Sequence, residues 1–266
     1  MGDSTFRLLT FNCLWQGAAR ERLSAIAPIL DGSNVDFLCL QEVTQRRNVG
    51  LLQRHLRSFQ PPEFQPYGVA VKGGLVNFAR RPVERSTYEV FRGRGPHWTL
   101  GWADRLLRKG FLISCLHVDD LPVVVVNTHM LANYDEDWAP DNRFAREQRS
   151  DLAQLADALS RLDRDALVIV AGDLNVPITS PMLKELMAAC DLQHSFTSGE
   201  GLAPPTIRHA VRGKPPQTID HVLFRGPTGR AVRANARLRF EDPVVLASGR
   251  HAFASDHLAV DAEFTL

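Results

Sequence analysis

Ala166-Leu167-Val168-Ile169-Val170-Ala171 is an unbroken apolar run that stops on Gly172-Asp173-Leu174-Asn175. Its length and its valine and isoleucine content read as a strand buried on both faces. A strand of that kind sits in a sheet covered by helices. The flanks agree. Upstream, residues 142–162 carry Leu152, Leu155, Ala156, Leu159 and Leu162 on one helical stripe. Downstream, Ser180-Pro181 reads as an N-cap and first helical position, opening a short helix to Ala189.

The same alternation continues outward. Strands are expected at residues 6–11, 36–40, 111–116, 121–126, 218–224 and 259–266, the third and fourth joined by an Asp119-Asp120 turn. Residues 67–71 and 75–78 flank Lys72-Gly73-Gly74 and read as a hairpin. Leu23, Ile26, Ala27 and Leu30 recur at helical spacing with Pro28 as a kink, and a second helix covers about residues 49–59. No linker, repeat or low-complexity tract interrupts the pattern. Strands outnumber helices, so two layers of sheet with helices packed outside, in one domain over residues 1–266, are expected.

Composition bounds the function. Hydrophobic residues are 44% and charged residues 23%, which excludes disordered, collagen-like and coiled-coil chains. Lys+Arg 31 against Asp+Glu 30 gives a net charge of +1, so strong overall attraction to nucleic acid or an anionic membrane is not expected. The basic residues are 27 Arg and 4 Lys, which suits either an Arg-rich genome or bidentate phosphate recognition. Cys13, Cys39, Cys115 and Cys190 form no C-x-x-C pair, which argues against a zinc or redox site and fits a reducing compartment. The apolar runs are too short to span a bilayer, and a strand beginning near Phe6 leaves no room for a secretory signal. A cytoplasmic location and a monomer are the expectations.

The chemistry is written where strands stop. Asn12, Glu42, Asn127-Thr128-His129, Gly172-Asp173-Leu174-Asn175, Asp220-His221 and Ser255-Asp256-His257 all end or interrupt apolar runs. One such residue is ordinarily a turn or cap residue. Six clusters rich in carboxylate, carboxamide and imidazole exceed what turns require, and polar strand ends converge on one rim of a sheet. The set suits hydrolysis of a phosphate ester: hard oxygen ligands such as Glu42 and Asp256 for Mg²⁺, and an imidazole paired with a carboxylate as base or charge stabiliser.

In order and spacing, Leu9-Thr10-Phe11-Asn12, Leu40-Gln41-Glu42-Val43, Asn127-Thr128-His129, Gly172-Asp173-Leu174-Asn175, Ile219-Asp220-His221-Val222 and Ser255-Asp256-His257 resemble the endonuclease/exonuclease/phosphatase superfamily. The resemblance implies a four-layered α/β sandwich of two mixed β-sheets flanked by helices, with the site at one edge. It also implies roles. Glu42 would hold Mg²⁺ (Mn²⁺ or Ca²⁺ as alternatives), with Asn12 beside it and Asp256 as a further or water-mediated ligand. His257, held by Asp220, would sit over the scissile phosphate. Asp173 would orient water or assist the leaving group, Asn175 would hold a phosphoryl oxygen, and His129 would donate to the phosphate or leaving-group oxygen. His221 stands where relatives commonly have Tyr or Phe and reads as near-site packing.

Within the superfamily, residues 127–134 and the Arg108-Lys109-Gly110 stretch are similar to the neutral sphingomyelinase-like branch. This implies a phosphodiester hydrolase of sphingomyelinase or phospholipase C type, with transient contact to a membrane surface. Phe91, Trp98, Leu100, Trp102, Leu106 and Leu107, interleaved with Arg92, Arg94, Arg105 and Arg108, form either a lipid-touching lip or a packed loop. Tyr134, Trp138 and Asp135-Glu136-Asp137 form a loop next to His129 that shapes specificity or caps the long helix. The alternatives are a DNA nuclease of the same fold, a small phosphoester phosphatase, and a binding module that has lost activity. The intact polar set speaks against the last.

Overall fold

Two sheets face one another, and the apolar side chains between them are what hold the polar strand ends at one rim. The computed structural model describes residues 4–92, 107–196, 203–209 and 214–266. Of the expected lip, Arg94, Trp98, Leu100, Trp102, Arg105 and Leu106 lie outside the described residues. In chain order the elements are β1 (Thr5–Asn12), α1 (Ala19–Asp31), β2 (Phe37–Gln41), α2 (Arg46–His55), β3 (Pro66–Tyr67), β4 (Ala70–Val71), β5 (Val76–Ala79), β6 (Arg85–Val90), β7 (Gly110–Val118) and β8 (Leu121–His129). They continue with α3 (Arg143–Ser160), β9 (Leu167–Asp173), α4 (Pro181–Ala189), β10 (Gln193–His194), β11 (Asp220–Arg225), β12 (Arg233–Arg239), β13 (Val244–Val245), β14 (His251–Ala252) and β15 (Ala259–Thr265).

One sheet runs β12-β15-β1-β2-β5 and the other β10-β11-β9-β8-β7-β6. Both are mixed: β1–β2 and β8–β9 are parallel, and their other neighbours are antiparallel. The period of two along each strand divides the side chains between layers. Phe6, Leu8, Phe37, Cys39, Val123, Val125, Leu167, Ile169, Val222 and Phe264 fill the space between the sheets. Leu9, Phe11, Leu38 and Leu40 turn the other way onto α1 and α2. Val124, Val126, Val168 and Val170 turn onto α3 and α4. The result is the expected helix–sheet–sheet–helix sandwich.

The capping chemistry holds. Asn142 Oδ1 accepts from Phe144 and Ala145 N–H at 2.9 and 3.1 Å at the start of α3, and Ser180 Oγ accepts from Met182 N–H at 3.3 Å with Pro181 opening α4. Helix α1 runs through Pro28 to Asp31, and α2 lies a few residues earlier than expected. The expected hairpin around Lys72-Gly73-Gly74 is different. Gly73 and Gly74 have φ of 60° and 65° and form a tight helical turn. The hairpin is β3–β4, turning at Gly68-Val69, while β5 leaves to pair with β2. A Cβ on Gly74 would stand 3.1 Å from Glu42 Cα, so this glycine lets the turn lie against the backbone of Glu42.

The layer between the sheets changes character along its length. Toward the ends of β1, β2 and β8 its apolar side chains give way to a buried chain of amides and hydroxyls. Gln41 Nε2 donates to Thr10 Oγ1 (2.9 Å) and Asn127 Oδ1 (2.8 Å), Asn127 Nδ2 to Asn77 Oδ1 (2.8 Å), and Asn77 Nδ2 to Ser114 Oγ (3.0 Å). This network crosses from one sheet to the other directly before the charged residues begin.

Candidate active site

Asn12 ends β1, His129 ends β8, Asp173 ends β9 and Asp220 begins β11. Register puts them together, since His129 pairs with Asp173 and Asp173 with Asp220. Gly172 makes this possible. Its φ is 143°, and a Cβ there would collide with the carbonyl of Thr128.

Asn12 joins the two halves of the site. Its Nδ2 donates to Glu42 Oε1 at 3.2 Å and to Asp173 Oδ2 at 2.9 Å, while its Oδ1 is taken by Leu14 N–H at 3.1 Å. Glu42 has φ of 61°, a left-handed conformation that a side chain occupies only where its surroundings enforce it. Its Oε2 accepts from Trp15 N–H at 2.9 Å. Arg22, buried on α1, holds that same loop through the carbonyls of Leu14 (2.5 Å) and Gln16 (2.8 Å).

His257 Nδ1 lies 2.8 Å from Asp220 Oδ2, and its Nε2 lies 3.9 Å from Asp173 Oδ2. Burial alone would depress the imidazole, but the Asp220, Asp173 and Asp256 carboxylates outweigh it and push its pKa up to about 10. His129, on the other side of Asp173 at 3.5 Å, is the reverse case. Burial, then Lys109 and His257, hold it well below the ordinary value, so it is neutral. Lys109 Nζ sits 3.0 Å from His129 Nε2 and donates to Met130 O at 2.8 Å. That contact assigns the His129 proton to Nδ1. Asp173 is raised above the ordinary carboxylate range by burial and by Asp220, against the opposing pull of His257, Lys109 and Asn12.

Asn175 follows in a left-handed turn with φ of 53°. Its N–H donates to Asp173 Oδ1 (3.0 Å) and its Nδ2 to Met130 O (3.1 Å). Gln148 of α3 ties the loops together, donating to Leu131 O and Asn175 O at 2.8 Å each. Asp256 is beside His257, where its Oδ1 accepts from Ser255 Oγ at 3.2 Å. Among the described residues no hydrogen bond or ion pair joins Asp256 to Glu42 or Asn12. His221 points away, into the helix side of the sheet. Its Nε2 donates to Val176 O at 2.8 Å, and its Nδ1 accepts from His194 Nε2 at 3.0 Å. It is a packing residue, as expected.

Glu42 makes no ion pair among the described residues, and its two oxygens are hard donors at the rim, which suits a divalent ion. Asp173, Asp220 and His257 also bring ligand atoms within 4.8 Å of one another. An imidazole held as a cation is a poor ligand, so that trio suits proton handling better than metal binding. Sequence reasoning missed Lys109 as a site residue, together with Arg22, Gln148 and Thr206. Thr206 Oγ1 accepts from Ile219 and Asp220 N–H at 3.1 and 3.0 Å, and its carbonyl accepts from Leu258 N–H at 2.7 Å. Lys109 carried a signal, as one of four lysines in the chain and the residue before a strand that opens on Gly110.

The sequence profile of the Endonuclease/Exonuclease/phosphatase family matches residues 9–257, from the strand that carries Asn12 to His257 itself. The chain belongs to the Endonuclease/Exonuclease/phosphatase family. Members of this family are metal-dependent phosphoester hydrolases, and this chain is a phosphodiesterase of that superfamily. Among solved structures it is similar to a humanized TDP2 from D. rerio (TM-score 0.75, 14% identity, covering 98% of this chain and 99% of that one). It is similar as well to sphingomyelinase C from Streptomyces griseocarneus (0.69, 20%, 98% and 99%). A third is beta toxin from Staphylococcus aureus with bound magnesium ions (0.75, 15%, 97% and 99%). No curated protein matches in the sequence comparison. At these identities the shared property is the fold.

Proposed function

We propose that this family member is a Mg²⁺-dependent phosphodiesterase that releases the headgroup of a lipid, working as one catalytic domain. The observation that carries the hydrolytic part is the opposed charge of the two imidazoles around Asp173. Glu42, oriented by Asn12 and Trp15 N–H, would hold the ion, with Asp256 as an outer or water-mediated ligand. When bound, the ion neutralises charge on the phosphoryl oxygens. His257, charged and clamped by Asp220, stabilises the negative charge that builds on the phosphate. Asp173, with its raised carboxyl, takes the proton of the attacking water. Neutral His129 offers its Nδ1–H to a phosphoryl or leaving-group oxygen, and Asn175 steadies another. No helix among the described residues is long and apolar enough to cross a membrane, so contact with lipid would be made at the surface.

A second reading, cleavage of a nucleic acid, is supported by the similar fold of D. rerio TDP2 complexed with a single strand DNA product. The test is a substrate panel with Mg²⁺: sphingomyelin, a lysophospholipid, plasmid DNA, an abasic duplex and a bis-aryl phosphodiester. Turnover of sphingomyelin or the lysophospholipid, abolished by chelator, is the expected result. Turnover of the DNA substrates alone would transfer the site to the second reading, and full activity in excess chelator would remove the ion from it.

A further inference from the structure

The β3–β4 hairpin projects beside the site with an apolar apex. Val69 is 89% exposed and Tyr67 is 45% exposed. The chain leaving Glu42 runs along this hairpin. Thr44 O accepts from Val71 N–H, and Arg46 N–H donates to Val69 O, both at 3.0 Å. Gln45, Arg46, Arg47, Gly68, Val69 and Ala70 line an open groove of about 730 Å³. From the other side, the Arg108 guanidinium lies over the Tyr67 ring at 5.1 Å, and the neighbouring Lys109 reaches His129. The hairpin is therefore bracketed by the segment that carries Glu42 and the segment that carries Lys109.

Among the described residues none of Arg46, Arg47 and Arg108 pairs with a carboxylate, and no acidic side chain lines the groove. The Arg46 and Arg47 guanidiniums donate instead to Gly68 O and Gln45 Oε1, at 3.4 and 2.6 Å. This leaves a local excess of positive charge on a chain whose net charge is +1.

We infer that the β3–β4 hairpin and its three flanking arginines are a docking surface for an anionic lipid bilayer. An apolar apex with cationic shoulders matches the depth profile of a bilayer interface, where Val69 meets the acyl boundary while the guanidiniums meet headgroup phosphates and carboxylates. A nucleic acid would attract the same arginines but offers no apolar medium for a valine at a turn apex, so the bilayer is favoured. Docked this way, the surface sets the Glu42–His129 rim against the headgroups. The inference rests on the phosphodiesterase reading and assigns it a substrate that is a membrane.

The test is sedimentation with vesicles of phosphatidylcholine, with and without phosphatidylserine. The proteins are the unmodified chain, Val69→Asp, and Arg46→Glu with Arg47→Glu. These side chains are exposed, and melting temperatures check that the variants fold. Binding that requires phosphatidylserine, weakens with salt, and falls at least about tenfold in each variant is expected. Hydrolysis of a bis-aryl phosphodiester in solution should be unchanged in both variants. No binding by the unmodified chain, or equal binding by the variants, overturns the inference. Loss of oligonucleotide binding in the arginine variant with vesicle binding intact overturns it in favour of nucleic acid. Vesicle binding as expected in a chain that cleaves no diester upholds the surface and overturns the catalytic reading instead.

Discussion

His129 and His257 flank one carboxylate, at 3.5 and 3.9 Å from Asp173 Oδ2, and carry different charges because their other neighbours differ. His129 faces Lys109, whereas His257 faces Asp220. If Asp220 and His257 act as a unit, their effects are not additive. His257→Ala should lower the single-turnover rate about 10²–10⁴-fold, Asp220→Ala less, and the double variant little more than His257→Ala alone. Multiplicative losses would separate the pair. The pH profile is a second check. Activity should rise as Asp173 loses its proton, above the ordinary carboxylate range, and fall as His257 loses its own near pH 10. Asp220→Asn removes the largest raising influence on His257, so the alkaline limb should move toward neutral pH. Glu42→Ala is a different kind of loss. Excess Mg²⁺ should restore part of its rate, because mass action offsets a lost ligand and not a lost base; a metal titration identical to that of the unmodified chain would make Glu42 structural.

Elements matter through the turns and tethers between them. Gly172→Ala drives a methyl into Thr128 O at a φ of 143°, so β8 and β9 cannot both keep their places. Loss of soluble folded protein, or destabilisation by several kcal/mol in denaturant titration, is expected. The His194–His221 pair ties β10 and β11 to the catalytic turn. Burial holds His221 down to about 3 and His194 to about 4. Both lie below the unfolded value of roughly 6.5, so the native state binds fewer protons. The stability they contribute is present above that value and is lost as pH falls toward 4, on the order of 3 kcal/mol for one site. Melting temperatures from pH 7 to pH 4 should drop steeply, and His221→Phe should flatten the drop.

The same elements show what could be read beforehand. The buried strands β1, β2, β8, β9 and β11 announced themselves by apolar runs ending in polar residues, and that pattern carried the core of the site with it. β6 and β12 did not, because they are edge strands whose side chains are mostly exposed or half-exposed. The hairpin was displaced by a double glycine that makes a tight helical turn. Lys109, Thr206 and Gln148 act through partners 20, 13 and 17 residues away or more, a proximity that only the folded sandwich creates.

At the scale of the whole molecule, none of the expected ligands Asn12, Glu42 and Asp256 belongs to the three apolar clusters that fill the layers. Chelator should therefore stop turnover and leave the sheet signal in circular dichroism intact. Mg²⁺ at about a hundredfold excess over its Kd adds roughly 2.7 kcal/mol, a rise of about 5 °C in melting temperature. Cooperative unfolding on chelation would make the ion structural.

β1 lies between β2 and β15, with Thr5 opposite Thr265 and Leu266 N–H bonded to Ser4 O at 2.8 Å. The strand that bears Asn12 thus leaves the ribosome well before β15 and waits for it before one of its edges is covered. Until Val260, Ala262 and Phe264 arrive, the layer between the sheets is short of three side chains. Folding of the first sheet is accordingly completed only after β15 has been synthesised, and until then the nascent chain carries an open edge that chaperones are suited to shield.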